Sequence, residues 1–190
     1  MEIINLISNK GYKIKELLLI KPKIYFDERG LFYESWSNEK YKNYLGNIDS
    51  ILQENISFSK KGVIRGLHFQ MSPFSQGKLV KCTNGEIFDV AVDLRKNSNT
   101  FGHWSAVRLN NKNKHLLWIP RGFAHGFLSL KNLSQVSYLV DNSWNKEYER
   151  TILWSDTCLD IKWPLDELKG TDLIISAKDK NGIGFAEFKN

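Results

Sequence analysis

The 190-residue sequence is poor in cysteine, histidine and proline, and it has no long apolar segment. Its two cysteines, Cys82 and Cys158, stand far apart and form no CxxC pair. This argues against a disulfide framework or a cysteine zinc site and favours a reducing, cytoplasmic compartment. Because free cysteine is usually buried, we expect both thiols in the core. The apolar runs are too short to span a bilayer and the first residues lack the pattern of a signal peptide, so we expect no membrane association.

Aromatic residues and positive charge are what the composition does have. Six Trp, seven Tyr and eleven Phe make up 13% of the chain, and 27 basic against 21 acidic residues give a net charge of +6. Such a chain is compatible with binding nucleic acid, a membrane surface or a phosphorylated metabolite, and composition alone does not choose among them. The length, together with the lack of repeats and low-complexity linkers, predicts a single domain over residues 1–190.

Strand patterns dominate the chain, and helical patterns are scarce. Apolar or alternating runs bounded by turn residues cover residues 14–20, 31–36, 55–59, 63–70, 78–83, 86–94, 104–109, 115–119, 126–130 and 135–140. Many short strands at even spacing predict an all-β sandwich or barrel. The turn signal Asn84-Gly85 predicts a hairpin between the two runs that flank it, and the last four runs are predicted to form two further hairpins. Residues 38–45 are predicted as a short helix, and the stretch from Asp166 onwards as irregular or briefly helical.

A turn of the form PxGxxH, from Pro120 to His125, follows the predicted strand 115–119. On its own it fits a turn with a buried histidine equally well, but it resembles the second motif of the cupin β-barrels. Metal-dependent cupins supply an HxH pair from an earlier strand, whereas the corresponding stretch here, Leu67-His68-Phe69-Gln70, has one histidine. Because a catalytic metal usually needs three protein ligands, we expect no metal site.

An ordered set of motifs extends this resemblance to one cupin family over residues 26–179. The motifs are Phe26-Asp27-Glu28-Arg29-Gly30 with Glu34, Gln53-Glu54-Asn55, Arg65-Gly66-Leu67-His68-Phe69-Gln70, Gln76-Gly77-Lys78-Leu79-Val80, Gly85-Glu86-Ile87-Phe88-Asp89-Val90-Ala91-Val92-Asp93, Trp118-Ile119-Pro120-Arg121-Gly122-Phe123-Ala124-His125-Gly126-Phe127 and Ser176-Ala177-Lys178-Asp179. In order and spacing the set resembles the dTDP-4-dehydrorhamnose 3,5-epimerases. The resemblance implies an all-β, cupin-like double-stranded β-helix (jelly-roll) barrel with a few short helices. It also implies epimerisation at C3 and C5 of a nucleoside-diphosphate 4-keto sugar, with no cofactor and no metal.

Inverting a carbon beside a ketone requires a base, a partner for the enolate oxygen and an acid on the opposite face. His68 suits the base because an imidazole is largely neutral at physiological pH. The resemblance implies that Asp179 supports its other ring nitrogen. Lys78 is a cation suited to the enolate oxygen, and Tyr138 falls at the position of the family's tyrosine proton donor.

The resemblance also implies which residues bind the substrate. Arg29 and Arg65 resemble contacts to the diphosphate and the sugar, for which planar guanidinium groups are well suited. His125 and Asp89 are expected to orient neighbouring groups or to hydrogen-bond the substrate. Further binding positions of the family fall on Glu34, Gln53, Asn55, Glu149 and Lys178.

The sequence departs from the family pattern at the nucleotide base. Trp144 stands where the family usually has a tyrosine that stacks on thymine. Tryptophan offers a larger stacking surface, so we expect stacking to persist while the base stays open, a purine nucleotide such as GDP included. The altered segment Met71-Ser72-Pro73 leaves the C6 substituent of the sugar open as well.

The resemblance therefore implies a nucleotide-sugar epimerase, and we expect it to bind neither nucleic acid nor membranes. The resemblance implies a homodimer that exchanges N-terminal strand segments, with Arg29 and Glu34 reaching the partner's site. Three enzymatic alternatives stay open: a GDP-linked 6-deoxyhexose or heptose substrate, inversion at one carbon only, and a ketoisomerase of related shape. A non-catalytic sugar-nucleotide-binding cupin is the alternative from another class.

Overall fold

The computed structural model describes residues 1–45 and 51–189, and most of these lie in strands. The strands are β1 (Glu2–Ile7), β2 (Lys13–Lys21), β3 (Ile24–Asp27), β4 (Gly30–Tyr33), β5 (Gln53–Ser59), β6 (Val63–Gln70), β7 (Lys78–Asn84), β8 (Glu86–Asp93), β9 (Trp104–Asn110), β10 (Leu116–Ile119), β11 (Phe123–Ser129), β12 (Ser134–Val140), β13 (Glu149–Thr151) and β14 (Ile174–Ile175). The helices are short: α1 (Asn38–Tyr41), α2 (Ala177–Lys180), α3 (Phe185–Lys189) and a 3₁₀ turn at Leu165–Leu168. In the described residues, no helix has the length and apolar character needed to cross a membrane.

Two antiparallel sheets form the barrel. The first has the strand order β1-β2-β10-β7-β12-β5, and the second has β13-β6-β11-β8-β9 with β14 parallel to β6. Alternate residues of both sheets meet in one buried cluster, for example Val80 and Val136 from the first and Ile87, Ala91 and Phe127 from the second. This is the cupin-like jelly roll that the sequence resemblance implied, and the prediction of an all-β barrel is confirmed.

The three predicted hairpins are wrong. The two strands of each predicted hairpin lie in different sheets: β7, β10 and β12 belong to the first sheet, and β8, β9 and β11 belong to the second. A local turn signal indicates that the chain reverses direction, but it does not indicate whether the two flanking strands pair with each other. In this jelly roll they cross from one sheet to the other. The turn at Gly85 is such a corner: its φ is +76°, and a Cβ there would lie 2.6 Å from Ser134 Oγ. The glycine is therefore required by space as well as by backbone conformation.

Smaller differences concern the helix, one cysteine and the short strands. The predicted helix 38–45 is present only in part, as α1, which ends at Tyr41; its N-cap is Ser37, whose hydroxyl accepts a hydrogen bond from Lys40 N. Cys82 is buried as expected, but Cys158 is exposed, so that expectation is wrong for the second thiol. Cys158 lies in a turn whose amide groups bond to Asp156, which places its side chain outside the core. The sequence patterns did not identify β1, β3, β13 and β14.

The C-terminal strap, residues 171–189, covers one side of the second sheet. Ile174 and Ile175 pair with β6, and Ile183 is hydrogen-bonded on both sides, to Thr151 O and Leu153 N. Phe185 then packs into the core cluster on the outer face of this sheet. These contacts carry α2, which lies between them, to the end of β6 where the candidate site is found.

Two apolar surfaces have no cover within the described chain. β3 and β4 pair only with each other there, and their Phe26 and Phe32 are 75% and 70% exposed. The edge strand β5 has its apolar side chains on the outer face of the sheet, where Ile56 and Phe58 are 54% and 63% exposed. The alternate positions of β5, which face the barrel, are all polar: Gln53, Asn55, Ser57 and Ser59.

Candidate active site

His68 and Asp179 form a hydrogen-bonded pair at the end of β6. His68 Nε2 lies 2.6 Å from Asp179 Oδ1. The other carboxylate oxygen accepts the amide of Gly66 at 3.3 Å, and the amide of Asp179 itself is capped by Ser176 Oγ at 3.1 Å. Each end of the Asp179 residue is thus fixed by a hydrogen bond, and its carboxylate can hold the imidazole in one orientation.

The electrostatics of this pair favour a neutral imidazole beside a charged carboxylate. Burial lowers the pKa of His68, and the positive charges of Lys178 and Lys78 add to this, although Asp179 acts in the opposite direction. Burial works against ionisation of Asp179, but the contact with His68, the Gly66 amide and the charge of Lys178 together lower the pKa of Asp179 overall. His68 is therefore ready to accept a proton at neutral pH.

A close approach of two glycines sets the register that places His68. His68 lies opposite His125 in the pairing of β6 with β11, and the register shifts at the next residues. At that shift Gly66 has φ +121°, and a Cβ on it would lie 2.5 Å from Gly126 Cα. Only glycine permits this contact, which also directs the Gly66 amide to Asp179.

His125 and Asp89 form a second, fully buried pair inside the barrel. His125 Nε2 lies 2.6 Å from Asp89 Oδ1, and Asp89 Oδ2 has no hydrogen-bond partner among the described residues. The ring of His125 packs edge-to-face on Tyr138, with 5.9 Å between the ring centroids. The His125–Asp89 pair therefore packs directly against the Tyr138 ring.

Tyr138 lies on β12 with its hydroxyl 3.0 Å from Ser57 Oγ. Burial raises the pKa of Tyr138 far above its usual value, although the Ser57 hydrogen bond and the charge of Arg65 act in the opposite direction. Arg65 is held by Ser59 Oγ at 3.2 Å and by the carbonyl of Phe58. The phenol is thus protonated across the physiological pH range and has a cation nearby.

Lys78 begins β7 and is partly buried. Burial lowers the pKa of Lys78 to about 8; Glu149 and Asp89 oppose this through their charge, while Lys178 adds to it. Lys178 is itself paired with Glu149, Nζ to Oε2, at 2.7 Å. Lys78 is consequently a partly desolvated ammonium whose charge reaches His68, with carboxylates that act on it only at a distance.

The remaining predicted residues divide into two groups. Gln53 and Asn55 are joined by a 2.7 Å hydrogen bond on the inner face of β5, and Asn55 is opposite Tyr138 in the strand register. Trp144 is 53% exposed. Burial acts to raise the pKa of Glu149, but Lys178 and, to a smaller extent, a hydrogen bond from Trp144 lower it overall. By contrast, Arg29 and Glu34 contact Asp27 and Lys40 near the β3–β4 hairpin, and the described chain does not bring them to His68.

Sequence reasoning did not identify three residues of this arrangement: Ser57, Gly66 as a hydrogen-bond donor, and Ser176. The alternating polar face of β5 was a signal for Ser57. No sequence signal pointed to the amide of Gly66, because its direction depends on the contact with Gly126.

In the described residues, no group of three or more His, Cys, Asp or Glu side chains is arranged to hold a metal ion. The Nε2 atoms of His68 and His125 each face a carboxylate instead.

Comparison with known proteins places this chain in one family. The family model for dTDP-4-dehydrorhamnose 3,5-epimerase matches residues 11–187. The chain is 46% identical to the dTDP-4-dehydrorhamnose 3,5-epimerase of Shigella flexneri over 92% of this chain and 94% of the relative. It is 48% identical to that of Methanothermobacter thermautotrophicus over 86% of each. A crystal structure of dTDP-6-deoxy-D-glucose-3,5-epimerase from Legionella pneumophila, in complex with dTDP-4-keto-L-rhamnose, superposes with a TM-score of 0.87 at 43% identity, covering 98% of this chain and 97% of the other.

Proposed function

The chain belongs to the dTDP-4-dehydrorhamnose 3,5-epimerase family, and from that membership we propose how its own residues carry out the reaction. The reaction is epimerisation at C3 and C5 of a dTDP-linked 4-keto sugar. The observation that carries the residue assignment is the His68–Asp179 pair, whose imidazole is neutral and oriented.

His68 is the base. It removes the proton from the carbon next to the ketone, and the electron pair of the C–H bond moves into the enolate. Asp179 stabilises the imidazolium that forms, as a buried carboxylate next to an opposite charge does. Lys78 stabilises the negative charge that develops on the ketone oxygen, and its desolvation strengthens that interaction.

Tyr138 is the acid. A phenol whose pKa is raised by burial holds its proton until a strongly basic carbon is presented to it. The transfer breaks the O–H bond of Tyr138, forms the new C–H bond on the opposite face of the sugar ring and returns the ketone. Since acid and base act from opposite faces, each cycle inverts one carbon.

The substrate is held by groups around these three. Arg65, Gln53, Asn55, His125, Glu149 and Lys178 are the proposed contacts to the sugar and the diphosphate, with Trp144 against the base and Asp89 fixing His125. We assign the reaction to these side chains without a metal or another cofactor, since proton transfer and enolate stabilisation are accounted for by His68, Tyr138 and Lys78.

The two uncovered apolar surfaces support a homodimer. The outer face of β5 is apolar where an edge strand is normally charged or polar. The β3–β4 hairpin, exposed and aromatic, has the length and apolar character to pack on the partner's β5. In that arrangement Arg29 and Glu34 belong to the partner's site, which accounts for their distance from the site in their own chain.

We also propose that residues 1–190 form one catalytic domain that works in the cytoplasm. The family match spans residues 11–187, and the strap reaches back to the barrel to supply Asp179. Both thiols are free, Cys158 at the surface, which suits a reducing compartment.

Deuterium incorporation tests this assignment. The protein is incubated in deuterated water with a dTDP-linked 6-deoxy-4-keto sugar, and label at C3 and C5 is followed by NMR; label at both carbons is expected. His68→Ala should abolish incorporation, whereas Tyr138→Phe should continue to exchange protons through His68 while inversion is impaired. Incorporation by His68→Ala at the wild-type rate would show that the base is another residue.

A parallel incubation with a GDP-linked 4-keto sugar separates the alternatives. Label at one carbon would identify a single-site epimerase, and faster turnover of the GDP sugar would identify a purine-specific enzyme. Binding of either nucleotide sugar with no label at any carbon would favour a non-catalytic binding protein.

A further inference from the structure

The hydroxyl of Tyr138 has one hydrogen-bond partner among the residues that the structure describes, the Oγ of Ser57 at 3.0 Å. His125, whose ring packs on Tyr138, directs its Nε2 to Asp89 instead. Arg65 affects Tyr138 only through its charge, because its guanidinium is bound to Ser59 and to a backbone carbonyl. Ser57 is therefore the group that contacts the phenol oxygen directly.

Strand pairing fixes this contact. β5 and β12 run antiparallel with Asn55 opposite Tyr138 and Ser57 opposite Val136, so Ser57 is the diagonal neighbour of Tyr138 on the same face. Ser57 is partly buried, and Ser59 on the same face holds Arg65 in a similar way. A small hydroxyl residue at position 57 leaves space for the phenol and still reaches its oxygen.

The chemistry at Tyr138 requires a partner that can change its role. In the resting site the phenol can donate its hydrogen to Ser57 Oγ. For the transfer this hydrogen must turn to the sugar carbon, and Ser57 Oγ then donates to the phenol oxygen instead. After transfer the phenol is a phenolate in a buried position, where an anion without a hydrogen bond is costly. A serine hydroxyl can rotate and donate to it, because it carries one donor and two acceptor lone pairs.

We propose that Ser57 is a positioning residue for the proton donor: it holds the Tyr138 oxygen in place while the phenol hydrogen is directed at the sugar carbon, and it donates a hydrogen bond to the phenolate that remains. No covalent bond of Ser57 changes in this role, and the phenolate regains its proton from water before the next inversion. The inference rests on the proposed role of Tyr138, and it adds a residue whose loss affects inversion and leaves proton removal by His68 intact.

The test compares four variants by two rates measured on the same sample: deuterium incorporation and formation of the inverted sugar. Ser57→Ala should lower inversion about 10- to 100-fold relative to incorporation, the range expected when a hydrogen bond to a charged group is lost. Ser57→Thr, which keeps the hydroxyl, should restore the ratio. Ser137→Ala is the matched control, because Ser137 neighbours Tyr138 in sequence but its hydroxyl contacts Glu54, and the ratio should stay at the wild-type value.

Tyr138→Phe separates failure of this inference from failure of the proposed mechanism. If Tyr138→Phe loses inversion but Ser57→Ala keeps the wild-type ratio, Ser57 has no part in the step and the inference is wrong. If Ser57→Ala lowers both rates equally, its role is structural and the inference is again wrong. If Tyr138→Phe inverts normally, the role of Tyr138 itself is refuted, and this inference with it.

Discussion

Asp179 Oδ1 lies 2.6 Å from His68 Nε2, although 111 positions separate the two residues in the chain. His68 is on β6 in the barrel, whereas Asp179 is on α2 in the C-terminal strap. The base of the proposed mechanism is thus assembled from two parts of the chain that are joined by the pairing of β14 with β6.

Replacing Asp179 by asparagine tests the contribution of this pair. Asn keeps the size but not the charge, so the imidazolium loses its stabilising anion. We expect kcat to fall by about 10²- to 10⁴-fold, the usual contribution of a general base. Asp179 raises the pKa of His68, so NMR titration of the variant should show a lower His68 pKa than in the wild type. Near-wild-type kcat would show that His68 acts without Asp179.

The pH profile of kcat/KM should be bell-shaped. In the proposed mechanism His68 must be neutral, and its pKa is lowered from 6.5. The acidic limb of the profile, where activity rises with pH, should therefore lie below pH 6.5. Lys78 must be protonated, and its pKa is about 8, so activity falls as the pH rises through about 8. Lys78→Arg keeps the cation at all these pH values and should remove the alkaline limb. An unchanged alkaline limb in that variant would assign it to another group.

Charge on the outer face of β5 should disrupt the dimer. Phe58→Lys places an ammonium on the apolar surface that the partner is proposed to cover. Analytical ultracentrifugation should show the mass fall from twice 22.1 kDa to 22.1 kDa. Tyr12→Lys is the control, because Tyr12 is 60% exposed in the turn between β1 and β2, at the opposite edge of the same sheet. Dimers that persist in Phe58→Lys, or a wild-type monomer, would exclude this interface.

Trp144 should act on binding more than on chemistry. Removing a stacking partner of a nucleobase costs about 1–3 kcal/mol, so Trp144→Ala should raise KM about 10- to 100-fold with little change in kcat. Trp144→Tyr keeps an aromatic surface and should stay close to the wild type for the dTDP sugar. A fall in kcat with KM unchanged would mean that Trp144 does not contact the base.

Gly66 should tolerate no side chain. A Cβ at this position would lie 2.5 Å from Gly126 Cα, and φ is +121°. We expect Gly66→Ala to destabilise the protein by about 3 kcal/mol or more, measured by urea unfolding. Gly170→Ala controls for backbone strain alone, since Gly170 has φ +81° and open space around it; its cost should be about 1 kcal/mol. Equal costs would contradict the close-contact argument.

The sequence allowed most strands and the family to be predicted, but not how the strands pair. Period-two patterns locate β5 to β12 because each residue's burial depends on its own side chain. Pairing depends on the other sheet, which is why the Asn84-Gly85 turn predicts a hairpin from its sequence but forms a corner between the two sheets in the structure. The family motifs indicated His68, Lys78 and Asp179, whereas the contact of Ser57 with Tyr138 depends on strand register and could not be read from composition or spacing.

Because the strap carries Asp179, the proposed partner of the base, we expect catalytic competence and barrel stability to be separate properties. The strap is held by a two-residue strand, the backbone bonds of Ile183 and the burial of Phe185, far less than the ladders that close the barrel. Segments with few such contacts open locally at a lower free energy than the whole domain. Opening of the strap would move the Asp179 carboxylate away from His68 and leave the barrel folded but inactive. Activity should therefore be lost at a lower temperature or denaturant concentration than the one that unfolds the barrel.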